Sequence, residues 1–257
     1  MKMEAYLPTA LLRPFVKSYL IIESQEELVN RVLPGTSLAV AFRIKGQVNY
    51  LTESNSTVLP STAISGLRKS VRLINYSKNT ATLIVSFTET GANAFFKEPL
   101  HELFEESISL DNFIPQHKLS IIEEQLAETQ NNNQRIAIVE QFLMSKIGNS
   151  TPDKLILNAI YRINAAKGSI KMRELAGTLY ISQDAFEKRF RKIVGTSPKQ
   201  FSSIIRMKSV IHQKQPTQSL TEIAFDAGYF DQPHFNKDFK LFTGQTPTDF
   251  FKSSVFW

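Results

Sequence analysis

Two groups of polar side chains recur at matching places in the last hundred residues, and their types suit hydrogen bonding to nucleic-acid bases. The first holds Gln183, Asp184, Glu187, Lys188 and Arg191; the second holds Gln232, Pro233, His234, Asn236, Lys237 and Lys240. Gln and Asn pair with adenine edges, Lys with guanine O6 and N7, and Glu accepts from cytosine N4. Each group is interleaved with phenylalanines spaced i, i+4 (Phe186/Phe190 and Phe235/Phe239), the mark of a helix with one buried face. A solvated helix face has a similar composition, but the duplication favours base contact. Other chemistry finds little support. The histidines are His101, His117, His212 and His234, with no H-x-x-H or H-E-x-x-H spacing for a metal. His101, Glu102, Glu105 and Glu106 read as the polar face of an amphipathic helix. Cysteine is absent, which removes thiolate catalysis, Cys-based zinc sites and disulfides. The sequence thus predicts no enzyme, no metal and no cofactor.

The elements that must position these groups repeat as well. Ile170–Phe201 and Leu220–Phe250 are two copies of one pattern. Leu175 and Ala176 match Ile223 and Ala224 at an offset of 48, whereas Phe186, Phe190, Gly195, Pro198 and Phe201 match Phe235, Phe239, Gly244, Pro247 and Phe250 at 49. One extra residue in the second turn accounts for the change. A repeat of this length is a supersecondary unit used twice, here two short helices joined by a tight turn. Ser182 and Asp231 are placed to cap the two recognition helices, and Ser219 with Glu222 spells a capping box. Ser197-Pro198 and Thr246-Pro247 put a cap before proline at a first helical position. Gly195 and Gly244 stand where left-handed residues end helices, and Gly228 where the second turn needs a positive φ. Ser202–Gln213 reads as a helix bridging the copies and Lys154–Lys167 as one packing on the first.

Charge is divided in the same way. Residues 151–257 hold 16 Lys and Arg against 9 Asp and Glu, while residues 1–150 hold 14 against 15. A basic domain beside a near-neutral one is the electrostatic footprint of a DNA-binding module joined to something else. With 257 residues and 42% hydrophobic content, the chain has material for two soluble domains, 1–150 and 151–257. Gly148–Pro152 reads as the linker. No apolar run reaches the length of a membrane span and the N-terminus lacks a signal-peptide pattern, so a cytoplasmic protein without membrane contact is expected.

Residues 155–252 resemble the DNA-binding domain of the AraC/XylS family of bacterial transcription regulators. The second copy carries most of the likeness: Glu222-Ile-Ala, Ala227-Gly-Tyr, Asp231-Gln, His234-Phe, Asp238-Phe-Lys and Thr243-Gly-Gln-Thr-Pro stand in the family's order and spacing. The resemblance implies seven helices, with two helix-turn-helix units held by a central helix. It also implies base reading by Asp184, Glu187 and Lys188 in the first unit, and by Gln232, Pro233, His234 and Lys237 in the second. By charge alone, Lys199 and Lys240 suit phosphate contact and a solvated surface equally. Asp184 and Glu187 repel phosphate, and Pro233 stands where many relatives have a polar residue, so the second unit is expected to read fewer bases. The family's methyltransferase relatives need reactive and zinc-binding cysteines, which this chain lacks.

The first half changes period. Leu38–Ile44, Gln47–Leu51, Val71–Asn75 and Ala81–Phe87 read as strands, Gly91–Phe104 as helix, Leu110–Pro115 as loop, and Leu119–Thr129 and Arg135–Lys146 as helices. Tyr6-Leu-Pro, Leu33-Pro-Gly, Ser65-Gly-Leu and Val85–Leu110 resemble the sensor domain that precedes AraC-type modules in one bacterial subgroup. The fold class is therefore two-domain α+β: a mixed β-rich domain, for which the resemblance allows a cupin-like barrel, then an all-α domain with two helix-turn-helix units. The implied partners are double-stranded DNA, a small-molecule effector, a second copy of the chain and RNA polymerase, with activation as the regulatory sense. Two readings of the first half stay open: an effector sensor, or a protein-interaction and dimerisation module without a small molecule. Residues 119–146 suit a dimer face and packing within the domain equally.

Overall fold

A computed structural model describes residues 1–148, 151–213 and 218–252; residues 149 and 150 of the expected linker lie outside the described residues. The first half contains two antiparallel sheets. One has the order β1 (Lys2–Tyr6), β2 (Val16–Ser24), β9 (Thr80–Phe87), β4 (Ala39–Lys45), β7 (Thr62–Ser65) and β10 (Ser107–Ser109). The other has the order β3 (Leu28–Val32), β8 (Arg72–Tyr76), β5 (Val48–Leu51) and β6 (Ser56–Val58). Among the described residues β1 and β10 remain the two edges of the larger sheet, so the architecture is a pair of open sheets and not one closed barrel.

Strand burial follows position in the sheet. β4 alternates, with Val40, Phe42 and Ile44 turned inward, as a strand with one covered face must. β9 has strand neighbours on both edges and is buried along most of its length. Helices α1 (Gln116–Glu128) and α2 (Asn132–Met144) cover the larger sheet through Leu119, Ile122, Leu126, Val139 and Leu143. The Phe42 and Phe142 rings meet edge to face at 6.3 Å. Glu140 Oε1 accepts from the amide of Thr9 at 2.8 Å. Glu4 Oε2 accepts from Tyr6 Oη at 2.7 Å and Asn132 Nδ2 at 2.9 Å, while Lys2 Nζ sits 2.8 Å from Oε1. These helices therefore pack within their own half.

Gly91–Phe104 departs from the expected helix. It forms two 3₁₀ turns, Gly91–Ala94 and Leu100–Leu103. Pro99 lies between them, and proline both lacks an amide donor and pushes its predecessor out of helical geometry, so one continuous helix cannot cross it. Leu110–Asn112, within the expected loop, is a third such turn.

The second half supplies seven further helices among the described residues: α3 (Lys154–Ala165), α4 (Met172–Thr178), α5 (Gln183–Val194), α6 (Pro198–Gln213), α7 (Leu220–Asp226), α8 (Gln232–Thr243) and α9 (Pro247–Lys252). The bridging helix starts at Pro198 rather than Ser202, because the cap at Ser197 and the proline begin it directly. Phe186, Phe190, Phe201, Phe235 and Phe239 are fully buried. Truncating such a residue to alanine costs about 3–5 kcal/mol. Most buried hydrophobic side chains of the strand-rich and helical halves belong to one continuous cluster, and Ile22, Val48 and Tyr76 form a second.

Candidate nucleic-acid interface

The two helix-turn-helix units are built by the same local bonds. In the first, α4 ends as the amides of Tyr180 and Ile181 donate to Gly177 and Ala176 at 3.1 and 3.2 Å. In the second, the amides of Gly228 and Tyr229 donate to Phe225 and Ala224 at 2.8 and 2.9 Å. The turn position needing a positive φ is Gly228 at 77° in one unit and Tyr180 at 55° in the other. Ser182 Oγ then accepts from Ala185 N at 3.3 Å, and Asp231 Oδ1 from His234 N at 2.8 Å, starting α5 and α8. The Ser219–Glu222 capping box closes in both directions, at 3.2 and 2.8 Å. Behind each recognition helix lies the same aromatic trio. Phe190 sits 5.7 Å from Phe186 and 5.5 Å from Phe201; Phe239 sits 5.6 Å from Phe235 and 5.3 Å from Phe250.

The expected site residues fall on the outward face with differing freedom. Asp184, Lys188, Arg191, Pro233, His234, Lys237 and Lys240 are exposed, and Glu187, Gln232 and Asn236 are half-buried. Glu187 Oε1 and Arg191 Nη2 pair at 2.8 Å. Both also border a cleft with His101 and Phe104 of the strand-rich half, as do Lys199 and Gln200. Gln232 Oε1 accepts from Thr221 Oγ1 at 2.9 Å, so that oxygen is already engaged. His234 Nε2 lies 3.6 Å from Asp238 Oδ2, and its ring stands edge-on to Tyr229 at 5.3 Å. Asn236 turns its Oδ1 inward, where it is buried. Exposed lysines are thus the least committed members of both groups.

The sequence reading missed what lies at the other end of each recognition helix. Gly195 ends α5 at φ 86° and Gly244 ends α8 at φ 77°. A Cβ on Gly195 would lie 3.2 Å from Leu100 O and 3.3 Å from Leu38 Cδ1; one on Gly244 would lie 3.1 Å from Val71 Cγ1. Leu38, Leu100 and Val71 all belong to the strand-rich half. Both helices therefore seat their C-terminal ends against the first half and leave their N-terminal turns in solvent. The repeated glycines were the available signal, read there only as helix stops.

Comparison with known proteins finds a family model for each half. Residues 175–253 match the family model described as a helix-turn-helix domain, and residues 4–109 match a domain of unknown function, DUF6597. The Msm operon regulatory protein of Streptococcus mutans is 30% identical over 120 residues, which are 45% of this chain and 43% of that protein. An uncharacterised HTH-type transcriptional regulator of Haemophilus influenzae is 29% identical over 121 residues, 46% of this chain and 41% of its own length. The chain thus spans less than half the length of these curated relatives. An apo ToxT variant from Vibrio cholerae aligns over 90% of this chain and 96% of its own at 11% identity, with a TM-score of 0.46. The AraC-like transcriptional activator CuxR aligns over 82% and 86% at 12% identity, with a TM-score of 0.26.

The helical half is a helix-turn-helix domain. Its duplicated unit and ordered motifs resemble those of AraC-type domains, and the domain of unknown function precedes it here.

Proposed function

We propose that the protein is a sequence-specific, DNA-binding transcription regulator whose two units read successive major-groove segments about one helical turn (~34 Å) apart. The observation that carries this reading is the parallel exposure of the N-terminal turns of α5 and α8, each framed by polar and basic side chains. Asp184, Glu187, Lys188 and Arg191 form the DNA-contacting surface of the first unit, and Gln232, Pro233, His234, Asn236, Lys237 and Lys240 that of the second. Residues 1–150 form the regulatory domain and 151–257 the DNA-binding domain of a cytoplasmic regulator. Contact between the strand-rich half and both recognition helices supports control from that half, by a small molecule or by a partner, whether a second copy or RNA polymerase. Such control requires an effector that binds the DNA-competent and incompetent states with different affinity.

Selection of duplexes from a random pool by the purified chain, sequenced at near-physiological salt, tests the DNA reading. A bipartite motif with halves about 10 base pairs apart is expected. Enrichment of one half alone removes two-unit reading, and no enrichment with or without added metabolites removes the function. Thermal shift against a metabolite library separates a sensor, which gains Tm on binding, from a protein-interaction module.

A further inference from the structure

The most exposed large apolar side chains among the described residues are two aromatics, one in the turn of each helix-turn-helix unit. Tyr180 is 98% exposed and Phe230 is 97% exposed. Tyr180 stands two residues before the cap Ser182, and Phe230 stands immediately before the cap Asp231. Folding explains neither. The inward turn positions are filled by Ile181 and by Tyr229, so both other rings face outward. Tyr180 also occupies the left-handed position, φ 55°, that the second unit gives to Gly228. A bulky residue seldom adopts that conformation, and such outliers concentrate at functional sites. Phe230 lies in the second turn, the turn that is one residue longer than its counterpart.

Their placement selects the ligand. A recognition helix meets base edges with its N-terminal residues, so a side chain just ahead of the cap enters the groove beside them. The apolar group that a base pair presents in the major groove is the thymine 5-methyl, which aromatic and methyl side chains contact. Lys199 and Lys240, both exposed, supply the complementary charge for nearby phosphates. We propose that Tyr180 and Phe230 each pack against a thymine methyl group, one in each half of the DNA site. The inference rests on the DNA-reading function above and adds a recognition element outside the two helices.

The test uses the full chain and two forms of its selected duplex, one natural and one with deoxyuridine replacing thymine, which removes the methyl groups alone. Wild type is expected to bind the uridine duplex more weakly, by about fourfold for each contacted methyl, the transfer free energy of one methylene. With duplexes substituted in one half at a time, Phe230→Ala loses the thymine preference in one half and Tyr180→Ala in the other. Phe230→Leu, which keeps an apolar contact, retains part of it. Because both rings lie in solvent, the variants melt like wild type. Equal wild-type affinity for thymine and uridine duplexes, or an unchanged ratio in both alanine variants, overturns the inference and leaves the DNA-reading function standing. Unchanged ratios together with loss of a bound protein assign the rings to a protein contact, which also overturns it. Failure of wild type to select any duplex removes the function and the inference together.

Discussion

The amide of Val71, just ahead of β8 in the strand-rich half, donates a 3.3 Å hydrogen bond to the carbonyl of Leu241 in the last turn of α8. One backbone bond thus joins the first half directly to the second recognition helix, beside the contact between Val71 and Gly244.

The closeness of that approach is measurable through stability. Gly228 and Gly244 have the same φ of 77°, but a Cβ on Gly228 meets nothing within 4 Å. Gly228→Ala is expected to cost about 1 kcal/mol from the left-handed backbone alone, and Gly244→Ala more, because its methyl also meets Val71. The excess disappears in a Val71→Ala background. Urea midpoints of the full chain measure all four variants; equal losses at the two glycines without the Val71 change refute the docking argument.

Lys237 is the most informative single residue for base reading, being exposed on α8 and free of the intrahelical pairing that occupies Glu187 and Arg191. Lys237→Ala is expected to weaken specific binding by about 1–3 kcal/mol and to relax preference at one base. Lys240→Ala should instead weaken binding evenly across sequences and flatten its salt dependence. Repeating the duplex selection with each variant distinguishes these results, and an unchanged motif for Lys237→Ala removes it from the reading set.

Glu4 makes the strand-rich half sensitive to acid. The hydrogen bond from Lys2, followed by those from Tyr6 and Asn132, holds its carboxyl down to about 2. A depressed carboxylate pKa stabilises the fold above the unfolded value of 4.5, and this contribution is lost as pH falls from there toward 2. Glu4→Gln should therefore lower stability at neutral pH and remove part of the acid dependence in that window. Tm followed from pH 7 downward checks it; parallel curves for variant and wild type contradict it.

Lys208 works against the fold. It lines a cleft between the halves with Lys17, Glu89 and His212, and burial followed by repulsion from Lys17 lowers its pKa, with Glu89 opposing. A lysine depressed in the folded state destabilises it at neutral pH, and the penalty fades as pH rises toward the ordinary value of 10.5. Lys208→Met is expected to raise Tm at pH 7 and to gain less at pH 10; a lower Tm at pH 7 contradicts the argument.

The helical half was legible because its signals are local. Caps at Ser182, Ser219 and Asp231, glycine stops at 195 and 244, and phenylalanines four apart each act within one or two turns of chain. Tyr180 escaped notice because no local rule puts tyrosine at positive φ. In the first half, strands β4, β5, β8 and β9 announce themselves through β-branched runs. β1, β3 and β6 do not: they are edge segments of five, five and three residues, too short to show a period, and only pairing with distant partners makes them strands. The docking of Gly195 and Gly244 was invisible for the same reason, since Leu38, Leu100 and Val71 lie far away in sequence.

Duplication copied more than an outward polar face. By keeping a glycine at the end of each recognition helix, it gave both copies a pivot on the same foundation, like the legs of a draughtsman's compass set from one handle. On the function proposed above, a shift of Val71 relative to Leu38 and Leu100 would alter the span between the two points. An effector acting within the first half would then change which spacing of half-sites the protein fits, without touching the outward faces of the recognition helices.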